Sequence, residues 1–91
     1  MSDTLVLQPR LDISAADPLA QALRTRLGSD LTVDARDVTH LGAMCLQVLL
    51  SAAQTVRRAG HRFTLANASD RVLEQLGSMG FTPETLAEGR T

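Results

Sequence analysis

The chain has 91 residues, 44% hydrophobic, 21% charged and 2% aromatic, with a formal net charge of -1; this fits one folded domain, residues 1–91, and argues against disorder. Near-neutral charge and scarce aromatic rings exclude a strong electrostatic footprint for DNA or an anionic membrane, and a stacking platform for single-stranded nucleic acid. The single cysteine, Cys45, excludes an intrachain disulfide.

Leu5-Val6-Leu7 is a short apolar run between polar neighbours and predicts a strand. Pro9 follows, which leaves room only for a short antiparallel edge with the segment around Leu11–Ile13. A helix is expected next. Asp17 is a good N-cap with Pro18 at the first helical position, and Ser14, with Asp17 three residues on, is the competing cap. Leu19, Leu23 and Leu27 recur every four residues as one apolar stripe, and Gly28 sits where a C-terminal glycine belongs. Asp30–Asp34 predicts a strand with Leu31 and Val33 on one face.

The second helix is expected from about Gly42 to Ala59. Spacings of three and four place Leu46, Leu49, Leu50 and Ala53 on its buried face, with Cys45, Ala52 and Val56 flanking. Met44, Val48, Ser51 and Thr55 then point away, so Met44 and Val48 are expected to be exposed. Arg57-Arg58 suits the negative end of the helix dipole and Gly60 ends the helix. Arg62–Ala66 is another strand, with Phe63 and Leu65 on the same side. Asn67 or Ser69 caps a last helix whose apolar face is Val72, Leu73, Leu76 and Met79. Gly80 closes it, Phe81 tucks back, and Thr82–Thr91 is expected to be a polar tail with a helical turn near Pro83–Ala87. Strands alternating with helices predict an α/β fold with right-handed crossovers and a largely parallel sheet.

Candidate chemistry is sparse. His40 and His61 lie in expected loops with no cysteine or carboxylate at ligand spacing, so neither a metal nor another cofactor is expected. Asp34 and Asp37 are an acidic pair by composition but fit the end of a strand and a turn better than general acid–base work. Cys45 fits a small core residue better than a reactive thiol. No nucleophile, base and orienting group can be assembled, so no enzyme is expected. No apolar run reaches the roughly 18–20 residues of a membrane span. Met1–Thr4 lacks the features of a signal peptide, so the cytoplasm is the expected compartment.

The most informative stretch is Val38-Thr39-His40-Leu41-Gly42-Ala43-Met44-Cys45-Leu46-Gln47-Val48-Leu49-Leu50, a strand end, a tight turn and the start of an apolar helix. Leu41–Leu46 resembles the turn "Ile-Asp-Ser-Ser-Gly-Leu" of the STAS family, the domain of bacterial anti-sigma factor antagonists. Arg10-Leu11-Asp12-Ile13-Ser14 is similar to the family's "Gly-x-Leu-Asp" turn, with Pro9 in place of the glycine. Val33–Val38 resembles "Leu-Asp-Leu-Ser-x-Val", Ala59-Gly60-His61 resembles its glycine-bearing loop, and Arg71–Leu76 with Gly80-Phe81 resembles its ending. The resemblance covers nearly the whole chain. It implies a small, mostly parallel sheet of about four strands with helices packed mainly on one side.

It also implies a non-enzymatic protein that regulates by docking. In switchable members a serine at the helix start is phosphorylated, which adds about two negative charges beside the helix N-terminus. Ala43 holds that position, Gly42 replaces the acid and Met44 the second serine. "Leu-Gly-Ala-x-Cys-Leu-Gln-Val-Leu-Leu" is most similar to STAS proteins that accompany bacterial chemotaxis kinases. The implied partner is therefore a histidine kinase or response regulator system. A constitutive antagonist of a serine-kinase-type anti-sigma factor and a cytosolic subunit of a lipid-transport ATPase are the other readings the family offers. The expected partner surface is Thr39, His40, Gly42, Ala43, Met44, Gln47, Val48 and Ser51.

Overall fold

The computed structural model describes residues 2–90. Five strands, β1 (Ser2–Val6), β2 (Arg10–Leu11), β3 (Asp30–Asp34), β4 (His40–Leu41) and β5 (Phe63–Ala66), and four helices, α1 (Ala16–Arg24), α2 (Ala43–Arg58), α3 (Asp70–Ser78) and α4 (Pro83–Ala87), follow in the order β1-β2-α1-β3-β4-α2-β5-α3-α4. They form a parallel three-stranded sheet in the order β1-β3-β5 and a separate parallel pair, β2-β4. The α/β architecture with a mostly parallel sheet is thus as the sequence predicts.

The register explains the core. Leu5, Val33 and Leu65 stand side by side across the sheet, as do Asp3, Leu31 and Phe63. Val33, Leu31 and Phe63 are fully buried. The intervening row, Thr4-Thr32-Thr64, lies on the other face, where Thr4 and Thr64 are exposed. Period-two alternation therefore gives one apolar and one solvated face, and the helices cover the apolar one.

The antiparallel edge is corrected. β1 pairs with β3, and the Leu7 N–H carries that ladder on to the Asp34 carbonyl at 2.9 Å. At Pro9 the chain leaves the sheet instead of turning back, and the Pro9 carbonyl accepts from the Thr39 and His40 N–H groups at 2.8 and 3.2 Å. A two-residue parallel ladder results, Arg10 beside His40 and Leu11 beside Leu41.

The cap of the first helical segment is also corrected. Neither Ser14 nor Asp17 caps it. Asp12 does: its carboxylate accepts from the Ser14 N–H at 3.1 Å and the Ser14 hydroxyl at 2.6 Å, opening a 3-10 turn over Ile13–Ala15 that runs into α1. Asp17 lies inside the first turn of α1, which ends at Arg24 with Thr25 as its C-cap, well before Gly28. Leu19 and Leu23 are buried as the stripe predicts, and Leu27 packs partly against the core.

Along α2, Leu46, Leu49, Leu50 and Ala53 are buried. Cys45, Ala52 and Val56 are buried with them, so the covered arc is wider than the sequence suggests. Ser69 rather than Asn67 caps α3, accepting from the Val72 N–H at 3.2 Å. Val72 and Leu76 are buried, but Leu73 is 39% exposed and does not belong to the apolar face. Gly80 takes φ +89 and the Phe81 N–H reaches back to the Leu76 carbonyl at 2.9 Å, the expected glycine-ended helix. The segment after it is not a free polar tail. Thr82 and Thr85 close a capping box on α4, Leu86 is fully buried, and the Gly89 carbonyl accepts from the Gln54 side chain at 3.1 Å. Thr91, the last residue of the expected tail, lies outside the described residues.

Asp34 is the one buried charged residue among those described. Its Oδ1 accepts from the Asn67 side chain at 3.1 Å and the Arg36 N–H at 2.9 Å, which ties the end of β3 to the loop after β5. The Asn67 bond first, then the Arg36 N–H, hold the Asp34 carboxyl below the usual carboxylate range; burial opposes them by less, and the Arg36 charge adds the smallest contribution. A folded-state pKa below the unfolded value stabilises at neutral pH, and that contribution is lost as pH falls through the folded value. Asp34→Asn is therefore expected to flatten the loss of stability below about pH 4, measured by denaturant unfolding across an acid series.

Candidate functional site

The N-terminus of α2 is built by β2, β4 and the 3-10 turn together. Gly42 is its N-cap, with extended backbone and no side chain to offer. The Gly42 N–H donates to the Leu11 carbonyl at 2.8 Å, so the start of the helix is fastened to β2. A Cβ at Gly42 would stand 3.2 Å from that same carbonyl oxygen and 3.5 Å from His40 Nε2. Any side chain there would press on the Leu11 carbonyl, so glycine eases the close approach. The Leu41 N–H, at the end of β4, donates to Gln75 Oε1 of α3 at 2.8 Å, which fixes the turn from the other side.

Cys45 faces inward beneath the turn. It is fully buried and its thiol donates to the Asp12 carbonyl at 3.2 Å. Desolvation, and to a lesser degree the Asp12 charge, push the thiol pKa up. Both effects oppose the thiolate, which is the reactive form. Ellman's reagent is expected to leave Cys45 unmodified in the native protein and to react stoichiometrically in denaturant. Rapid native labelling would contradict this burial.

The outward residues differ. Ala43 is exposed, Met44 is 51% exposed, and Ile13 in the neighbouring 3-10 turn is 77% exposed. Ile13 follows Asp12 and Met44 precedes Cys45, so the Cys45–Asp12 hydrogen bond ties together the two segments that carry these exposed apolar residues. The Thr39 hydroxyl is occupied by the Pro9 carbonyl at 3.2 Å, while His40 is exposed on β4, a strand rather than a loop. Asp37 is exposed in the turn after β3 and Asp34 is engaged by Asn67 and Arg36, so the two carboxylates do not form a working pair.

A family model described as "Mlab, STAS domain" matches residues 1–86. The chain belongs to the STAS domain family. No curated protein matches it. STAS domains are in general binding modules, and in this one the turn before α2 is held by β2 on one side and Gln75 on the other. Of the residues singled out from the sequence, Thr39, His40, Ala43, Met44, Gln47 and Ser51 are exposed and Gly42 is half-buried. Val48 departs from the expectation. It packs partly against the core and, with Ala20, Leu23 and Leu27 of the α1 side, lines an apolar groove of about 240 Å³ between α1 and α2.

Sequence reasoning missed two features of this STAS surface. The sequence places Ile13 in an expected strand, because nothing in its apolar character marks the 3-10 turn in which it is exposed. The groove arises from the meeting of two helices distant in sequence. Only the small Ala20 and Ala52, which both line it, hint at it. Among the described residues no group of three or more His, Cys, Asp or Glu side chains is placed to hold a metal ion, and no helix is long and apolar enough to cross a membrane.

Proposed function

We propose that this STAS domain is a non-enzymatic docking module of bacterial signal transduction that binds a chemotaxis-type histidine kinase or response regulator system. The observation that carries the reading is the exposed Ala43-Met44 pair at the place where switchable relatives present a hydroxyl. Ala43 has no hydroxyl to accept phosphate. The binding surface would be Thr39, His40, Gly42, Ala43, Met44, Gln47, Val48 and Ser51, with Ile13 beside it. Met supplies an adaptable apolar contact, and the neighbouring polar residues make a rim around it.

Control then has to act on the partner or on the amount of either protein, because the turn itself carries no switch. Affinity purification from the native cell tests the assignment. Recovery of a chemotaxis histidine kinase or its response regulator is the expected result. Recovery of a serine-kinase-type anti-sigma factor instead, bound equally with and without ATP, would make the chain a constitutive antagonist. Recovery of the nucleotide-binding subunit of a lipid-transport ATPase would make it an accessory subunit there.

A further inference from the structure

We infer that the polar cavity at the C-terminal end of α2 is a binding site for a phosphate-bearing ligand carrying two or more negative charges. The cavity, about 410 Å³, is lined by Asp30, Arg57, Gly60, His61 and Arg62. It lies at the opposite end of α2 from Ala43, about 20 Å away at the helical rise per residue, and is independent of the proposed docking surface.

The arginines here are not consumed by the fold. Three carbonyls of the last turn of α2 are served by backbone donors: Ala59 N–H reaches Thr55 at 3.2 Å, Gly60 N–H reaches Arg57 at 3.0 Å and His61 N–H reaches Val56 at 3.0 Å. These carbonyls need no guanidinium to satisfy them. Among the described residues, no carboxylate stands within ion-pair distance of Arg57, Arg58 or Arg62. Asp30, the one acid of the cavity, accepts from the Arg62 backbone N–H at 2.8 Å and lies 3.7 Å from His61 Nδ1. It positions the loop and does not pair with the arginine side chains. The Arg62 carbonyl in turn accepts from the Leu31 N–H at 2.8 Å, so the loop is pinned to β3 from both groups of one residue.

Three like charges within six residues repel one another, and the negative end of the α2 dipole and the single Asp30 carboxylate offset them only in part. A bound anion would offset the rest. All nine basic residues of the chain are arginines, and a planar guanidinium on a fixed loop is the group suited to two-point binding of phosphate oxygens. The cavity lining carries no apolar side chain. It offers no anchor of the kind that dominates protein–protein contacts, which favours a small phosphate compound or a headgroup over a docked protein.

Titration of the isotope-labelled full chain with inorganic pyrophosphate at low salt, followed by amide and arginine Nε resonances, tests the site. Saturable shifts confined to Asp30 and residues 57–62 are expected. Arg57→Gln and Arg62→Gln should each weaken the apparent affinity about tenfold, the scale of one lost charge-assisted contact, while Arg71→Gln leaves it unchanged. Shifts spread equally over Arg10, Arg36 and Arg71, or no saturation, would overturn the site. Vesicles with and without an anionic phospholipid then locate the source. Sedimentation with anionic vesicles that pyrophosphate reverses assigns a headgroup, and pyrophosphate binding without sedimentation assigns a free compound.

Discussion

Met44→Asp is expected to weaken partner binding by about 30-fold or more while leaving the fold intact. The size follows from the loss of a central apolar contact, about 2 kcal/mol or above at a hot spot. An aspartate there would leave a carboxylate to be desolvated in the interface, which adds to the loss. Folding should hardly respond. Met44 is 51% exposed in the free protein, and surface changes of this kind stay within about 0.5 kcal/mol. The new charge would even sit in the first turn of α2, where it complements the helix dipole. Calorimetric titration against the purified partner and denaturant unfolding of the free variant separate the two effects. Met44→Leu should keep both. A parallel loss of stability and binding in Met44→Asp would mean that the side chain serves the core.

Leu86→Ala should produce the largest loss of stability available from the C-terminal segment, about 2–5 kcal/mol for a fully buried leucine. That is a large share of the total for a domain this small, and corresponds to a fall in Tm of about 10 °C or more. The side chain is fully buried although its helix has five residues. α4 rests against β5 and α2, and the Gln54–Gly89 hydrogen bond fastens the segment that follows. A thermal unfolding curve checks the effect. A change under about 0.5 kcal/mol, the range of ordinary surface positions, would show that the segment is dispensable.

The elements legible in the sequence are those with a full period of pattern. β3 is delimited at both ends as Asp30–Asp34, and the inward residues of α2 follow from spacing alone. Leu86 was not legible, because a single leucine in a ten-residue polar stretch has no periodicity to report. The pairing of β2 with β4 was equally hidden. Two-residue strands carry no alternation, and their partnership is decided by where the Pro9 carbonyl points. The sequence offers Asp17 and Ser14 as caps and passes over Asp12, because the choice depends on a 3-10 turn that leaves no periodicity in the sequence. The turn at Gly42–Met44 was legible as a family feature. What could not be read from it was the tight fit around Gly42, where a Cβ would stand 3.2 Å from the Leu11 carbonyl.

The central claim is that this STAS domain docks through the α2 turn without being switched there. Resonance mapping of the labelled chain against a purified chemotaxis histidine kinase from the same cell, with and without ATP, tests it most directly. The expected result is a contiguous perturbation over Thr39, His40, Gly42–Met44, Gln47, Val48 and Ser51, with no phosphate added to the chain in either condition. Perturbation centred on the open Thr4-Thr32-Thr64 face, or ATP-dependent release accompanied by phosphate on Thr39, would contradict it.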